Sequence, residues 1–332
     1  MASVTVRAPG KINLALHVGP RDDSGYHELL SVFQAVDVWE TLTAEDATEF
    51  SLTVVGDVVT DDIPLDENNL ALQAARAVQK ASGYDGAAAL HITKRVPVGG
   101  GMAGGSADAA AALVALDALW ETGLSRERLL ECAAELGSDV PFCLEGYTQI
   151  GRGRGHLLEP MSSQPFYWVI VPSHVHLSTP LVYSTLDEQR GDAAPEVPRT
   201  PSPGLLEALA NGDALALAKE LVNDLAAPAL SLAPGIQTVL DTGSSLGALA
   251  GMVSGSGPTC VFLVEDVAHQ TRLLDGFAGE GVYALAATSP ARGAHLVQNS
   301  GLSARGSPGR GRSLRELRRC RRHCPRRIPR SQ

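Results

Sequence analysis

Apolar and polar residues alternate from the first residues of this chain. Val4, Val6 and Ala8 flank Thr5 and Arg7, the two-residue period of a half-buried strand. Ala8-Pro9-Gly10-Lys11-Ile12-Asn13-Leu14 then leads into a second strand, Leu14 to Val18. A polar turn at 21–25 precedes Tyr26 to Leu30 and the apolar strand Ser31 to Val38, and Glu49 to Val55 reads as another strand. The period then changes to that of a helix over Leu70 to Ser82, with Asn68-Asn69 before it and Gly83 after it as caps. Ala88 to Lys94 returns to strand. Ala107 to Leu119 is apolar nearly all round, which predicts a buried helix. Ser125 to Leu136 is amphipathic, with Ser125 as its N-cap and Gly137 as its C-cap.

A boundary falls near Gly151 to Pro160. Beyond it the pattern predicts strands at Phe166 to Val171, Leu249 to Val253, Cys260 to Val264 and Tyr283 to Thr288. Helices are predicted from Thr179 through Leu186, at Gly204 to Ala210, Asp213 to Asn223, Ile236 to Gly243 and Val267 to Phe277. Arg190 to Pro203 reads as a linker. Strands and helices alternate in both halves, so the class is mixed α and β in two domains, 1–155 and 156–298. Residues 299–332 form a third, Arg-rich segment that reads as disordered.

The most informative stretch is Pro97-Val98-Gly99-Gly100-Gly101-Met102-Ala103-Gly104-Gly105-Ser106-Ala107. Glycines let backbone approach a ligand closely, and a helix opening just after them offers unpaired N–H groups and a positive dipole end. That combination suits a polyphosphate. It is not a Walker A loop, because no Lys follows Gly105. It is not a dinucleotide fingerprint either, since no acidic residue closes a βαβ unit about 20 residues on.

Charge sharpens this. The chain of 332 residues carries a net charge of −10. Eleven arginines and one acid, Glu316, lie between Asn299 and Gln332, leaving 16 basic and 36 acidic residues in the rest. An acidic body argues against nucleic-acid binding by the main fold. No run of 18 apolar residues predicts a membrane span, and the N-terminus shows no signal-peptide pattern. Five scattered cysteines read as reduced thiols, so a cytoplasmic protein is expected. His174 and His176, read as lying on a strand, lack a third ligand nearby for a metal site.

Three segments taken together carry a resemblance: Pro9 to Leu14, the glycine loop at 97–108, and Gly255-Ser256-Gly257-Pro258. In that order they resemble the GHMP small-molecule kinase superfamily, which includes galactose, homoserine and mevalonate kinases. Gly25-Tyr26-His27-Glu28-Leu29 and Leu136-Gly137-Ser138-Asp139-Val140-Pro141-Phe142 narrow it to the 4-diphosphocytidyl-2-C-methyl-D-erythritol kinases. The likeness spans about residues 3 to 298 and leaves the tail outside.

The resemblance implies an α+β, two-domain GHMP-kinase fold. Its N-terminal domain would be ribosomal-protein-S5-domain-2-like and its C-terminal domain an α/β sandwich. It implies ATP and Mg²⁺ as cofactors, a CDP-methylerythritol acceptor phosphorylated at its 2-hydroxyl, and a monomer or homodimer. Pro97 to Ala107 would carry ATP's phosphates, with Ser106 adding a hydroxyl to phosphate or Mg²⁺ or capping the helix. Lys11 and Asp139 would be the catalytic pair. Asp139 would take the proton of the attacking hydroxyl or ligate Mg²⁺; Lys11 would set an opposite charge beside it and stabilise the transferring phosphoryl. Tyr26 would stack on cytosine, His27 would bond its edge, Tyr183 would close the sandwich, and Asn13 would bind substrate polar groups. Gly255, Ser256 and Gly257 would pack against the phosphate region.

Overall fold

The structure, a computed structural model, describes residues 2–297 except 59, 61, 62, 174, 192 and 194. The Arg-rich segment lies outside the described residues, as does His174. The first part of the chain runs β1 (Ser3–Arg21), β2 (His27–Ala47), β3 (Ser51–Gly56), α1 (Leu70–Ser82), β4 (Ala87–Lys94), α2 (Gly104–Leu119), α3 (Arg126–Leu136), α4 (Val140–Glu145), β5 (Thr148–Gly153) and β6 (Leu157–Met161). The second part runs β7 (Phe166–Val171), α5 (Thr179–Arg190), α6 (Pro203–Asn211), α7 (Ala214–Glu220), β8 (Val222–Asn223), α8 (Ala226–Leu232), α9 (Gly235–Ser245), β9 (Ala250–Val253), β10 (Cys260–Val264), α10 (Val267–Gly279), β11 (Leu285–Ser289) and β12 (His295–Leu296).

Two sheets stack between two helical layers. The first has eight strands, with the path β12-β1-β2-β4-β3, β5 and β6 continuing from β2, and β8 parallel to β1. The second is antiparallel in the order β11-β7-β10-β9. One face of the first sheet packs on α1, α2, α3 and α4 through Leu42, Leu90, Leu113 and Phe142. Its other face meets the second sheet through Ile12, Val36, Trp168 and Val261. The outer face of the second sheet is covered by helical residues such as Val182, Leu273 and Phe277. Strand β7 shows the period of two directly: Phe166, Trp168 and Ile170 face the first sheet, and Val169 and Val171 face outward.

The sequence splits β1 into two strands, but the structure keeps it continuous. Its register with β2 shifts between Pro9 and Gly10, where Pro9 opposes Trp39 and Gly10 opposes Val36. The irregularity changes which residues face the helices. Before it, Val6 and Ala8 join the helical core; after it, Ile12 and Leu14 face the second sheet. Lys11 and Asn13 therefore sit on the helical side, opposite Ala35 and Phe33. A bulge is what brings a lysine and an asparagine, one of them 5% exposed, to the cleft.

Candidate active site

The glycine loop joins β4 to α2, and the helix starts earlier than its apolar run suggests. Gly104, Gly105 and Ser106 form its first turn, and the N-cap is Ala103, not Ser106. Ala103 adopts φ 59°, ψ 33° and supplies no side-chain acceptor. The opening N–H groups of α2 are thus left without a capping side chain, which is the arrangement that binds anions. Left-handed backbone at a non-glycine residue costs about 1–2 kcal/mol. Packing around the turn holds it: Ala103 O accepts Ala107 N–H at 2.9 Å and faces Cys143 Sγ at 3.9 Å.

Loop 254–257 clamps the glycine loop from the other side. A Cβ on Gly101, whose φ is +74°, would stand 2.0 Å from Ser254 O. Ser254 Oγ donates to Gly101 O at 3.2 Å, and Lys11 N–H donates to Met102 O at 3.1 Å. Ser256 bonds Thr179 at 2.9 Å, tying the clamp to α5.

Under the first turn of α2 lies a buried ionic cluster. Lys94 of β4 reaches Glu40 of β2 at 2.7 Å and Asp108 of α2 at 2.6 Å. A Cβ on Gly104 would approach Glu40 Oε1 and Lys94 Nζ to 3.2 Å each. One ammonium serves two carboxylates. Burial, then repulsion from Asp108, pushes the Glu40 carboxyl up to about 8. Burial also raises Asp108, to about 6. Lys94 is raised because the two carboxylates outweigh its own burial.

Lys11 Nζ donates to Asn13 Oδ1 at 2.8 Å. A relay fixes that amide: Ser31 Oγ donates to Ala15 O at 3.0 Å, so it accepts from Asn13 Nδ2 at 2.8 Å. Asp139 stands 4.0 Å from Lys11 Nζ and is 30% exposed. It occupies the N-cap position of α4, yet its side chain makes no capping bond. The carboxylate is left to the cavity. Burial and Asp139 push the Tyr183 phenol above its usual range, so Tyr183 stays neutral near that carboxylate.

Two adjoining cavities, of about 580 and 1010 Å³, make the cleft. The first is walled by Lys11, Asn13, Asp139, the glycine loop, Gly255 and Ser256. The second is walled by Tyr26, His27 and Asp187, and both share Arg154 and Tyr183. Within the loop, Pro97, Gly99, Gly100, Gly101, Ala103, Gly104, Gly105 and Ser106 line the first cavity. Val98 does not, while Met102 and Ala107 point into the cores and Gly257 packs on Val253. His27 and Tyr183 rings lie 5.2 Å apart. Tyr26 is apart from that pair and 53% exposed, with the Arg154 guanidinium 3.5 Å from its ring centroid.

Arg154, Asp187 and the Glu40–Lys94–Asp108 cluster belong to none of the sequence motifs above. Arg154 lies in Gly151-Arg152-Gly153-Arg154-Gly155, a glycine–arginine turn that was itself a signal. His176 lies in a loop rather than a strand, against Gly99, where a Cβ would fall 2.6 Å from its Nδ1.

Known proteins match this chain in sequence and in fold. Residues 69–147 match the GHMP kinases N terminal domain, and residues 205–282 match the GHMP kinases C terminal family. The chain is 47% identical over 306 residues to the 4-diphosphocytidyl-2-C-methyl-D-erythritol kinase of Leifsonia xyli subsp. xyli, covering 90% of this chain and 100% of that one. A crystal structure of a 4-(cytidine 5'-diphospho)-2C-methyl-D-erythritol kinase superposes with TM-score 0.71 at 32% identity, over 86% of this chain and 99% of that one. A homoserine kinase from Cytophaga hutchinsonii superposes with TM-score 0.68 at 19% identity, over 90% and 98% of the two chains, which is a likeness of fold. Shared along nearly the whole described length, sequence and fold together place this chain in the 4-diphosphocytidyl-2-C-methyl-D-erythritol kinase family of the GHMP kinases.

Proposed function

We infer that this chain transfers the terminal phosphoryl group of ATP to the 2-hydroxyl of 4-diphosphocytidyl-2-C-methyl-D-erythritol. The products are the 2-phosphate and ADP, in the non-mevalonate route to isoprenoid precursors. The observation that carries this reading is the uncapped first turn of α2, which shares one cavity with Lys11 and Asp139. Membership of the GHMP kinases implies ATP as donor. The acceptor is taken from the relatives, and the Tyr26–His27 end of the cleft supplies groups suited to a base.

Phosphoryl transfer asks for positioning and charge stabilisation more than for covalent help. N–H groups of the glycine loop hold the donor's phosphates. Asp139, unused by its helix, accepts the proton of the attacking hydroxyl. Lys11, aimed by the Ser31–Asn13 relay, stabilises charge on the phosphoryl in transit. Ser106 Oγ is a hard oxygen donor on the cavity wall and would hold Mg²⁺ beside the phosphates, which leaves the Asp139 carboxylate free as the base. When bound there, Mg²⁺ would neutralise charge on the phosphoryl oxygens. Tyr26, His27 and Tyr183 hold the cytosine.

The same reading divides the chain at 155/156. The first part carries the glycine loop, Lys11, Asp139, Tyr26 and His27, and the second adds Tyr183, Gly255 and Ser256 to the cleft wall and lends β6, β8 and β12 to the first sheet. Among the described residues no helix is long and apolar enough to cross a membrane. We place the work of the protein in the cytoplasm, as a monomer or homodimer. A coupled ADP-release assay with the CDP-linked acceptor, homoserine and mevalonate tests the acceptor. Turnover with the CDP-linked acceptor far above the other two is expected; preference for either of those overturns the assignment.

A further inference from the structure

At the base-binding end of the cleft, one polar contact is left unused by the mechanism above. His27, at the start of β2, sets its Nε2 2.8 Å from Asp187 Oδ1. Asp187 belongs to α5, one turn beyond Tyr183, and its side chain is 33% exposed. An ionised carboxylate can only accept, so Nε2 carries the proton and donates. A neutral imidazole has one N–H, which leaves Nδ1 bare and able only to accept. Among the described residues Nδ1 has no hydrogen-bond partner and is not one of the enclosed unpartnered atoms. The ring lines the second cavity, so that bare nitrogen opens on it.

We propose that Asp187 is a positioning residue that sets the base preference of the acceptor site by fixing the tautomer of His27. The proposal rests on the reading that His27 meets the acceptor's base. A bare Nδ1 takes a hydrogen bond from an N–H on the base edge. Cytosine presents its exocyclic amino group there; uracil presents a carbonyl oxygen. With uracil two acceptors would face each other, and a desolvated acceptor without a donor is unfavourable. The carboxylate thus makes the imidazole read amino against carbonyl without touching the base.

A purely structural tie between α5 and β2 would make the same 2.8 Å contact. The two roles part on substitution. Asp187→Asn keeps the shape but can turn either its oxygen or its amino group to Nε2, so the tautomer is no longer imposed. Asp187→Glu keeps an obligate acceptor.

The test is calorimetric titration of the full chain with cytidine and uridine monophosphates. Saturating ADP is present to occupy the phosphate cradle. The pH is about 8.5, above the range in which histidines ordinarily gain a proton. The wild type is expected to favour the cytidine nucleotide by about 10-fold or more. Asp187→Asn should bring that ratio toward one, and Asp187→Glu should restore most of it. Equal weakening of both nucleotides in Asp187→Asn, with the ratio kept, overturns the proposal while leaving the base site in place. Binding of neither nucleotide by the wild type overturns the acceptor reading and the proposal with it. Nitrogen NMR of the labelled wild type is an independent readout that needs no variant to fold. A pyridine-type Nδ1 is expected, and a protonated Nδ1 overturns the proposal.

Discussion

At the end of the cleft proposed to hold the donor the wall is backbone, held from three sides. Gly101 is pinned against Ser254, Lys11 N–H is bonded to Met102 O, and the first turn of α2 rests on the Glu40–Lys94–Asp108 cluster. At the end proposed for the acceptor the wall is side chains on a turn, the start of β2 and a helix. Tyr26 is 53% exposed and meets Arg154 face-on, and His27 is steered by a residue of α5. A phosphate cradle must offer N–H groups at fixed positions, so it is built where the chain cannot move. A site that reads a base needs flat faces and edges, which side chains supply and substitution can retune. Changes at the donor end should therefore act on rate and fold together. Changes at the acceptor end should act on affinity and selectivity alone.

The largest expected break in that contrast is at Gly101. Gly101→Ala forces either a left-handed alanine or a shift of the 254–257 loop, and a misplacement of this kind costs about 100-fold in rate. Steady-state kinetics should show the loss in kcat/KM for ATP. Gly105→Ala is the control: its Cβ meets only Leu70 Cδ1, at 3.7 Å, so the melting temperature should hold or rise. Tyr26→Ala comes next. Losing one stacking face should raise KM for the CDP-linked acceptor roughly 10- to 100-fold while kcat is kept. An equal fall in kcat would mean that the two ends are not separable.

The smallest effect concerns pH and stability. Glu40 has a folded-state value of about 8, against 4.5 for the free group. Between these the folded protein holds a proton that the unfolded chain releases, so stability falls as pH rises through that window. Melting temperature should be lower at pH 8.5 than at pH 6, by roughly 2–4 °C per kcal/mol lost. Glu40→Gln should flatten the dependence. A melting temperature that rises with pH over this range would place the proton elsewhere.

Elements closed by local signals are legible in the sequence. Helix α1 has the expected bounds because Asn69 accepts from Ala71 N–H and Gly83 takes φ 76°. Strands β7 and β10 also match, being short apolar runs buried on both faces. Elements fixed by distant partners are not legible. Strand β1 reads as two because Pro9-Gly10 resembles a break, whereas β2 absorbs it as a register shift. Strands β8 and β12, two residues each, exist only through pairing with β1. The β5–β6 hairpin lies in glycine-rich sequence that reads as a boundary. Of the residues that line the first cavity, Lys11, Asp139 and the glycine loop are legible through their motifs. Asp187 is not, because it lies 160 residues from the histidine it orients.

In the proposed reaction Asp139 and Lys11 act on a hydroxyl brought to a phosphate held by the glycine loop. Phosphorus NMR of the purified chain with Mg²⁺, ATP and 4-diphosphocytidyl-2-C-methyl-D-erythritol tests it most directly, run beside Asp139→Asn. A new phosphomonoester on the 2-oxygen of the acceptor is expected, formed one for one with ADP. Asp139→Asn should slow its appearance by about 100- to 10,000-fold while acceptor binding persists. ADP formed without that ester, or an Asp139→Asn variant as fast as the wild type, would contradict it.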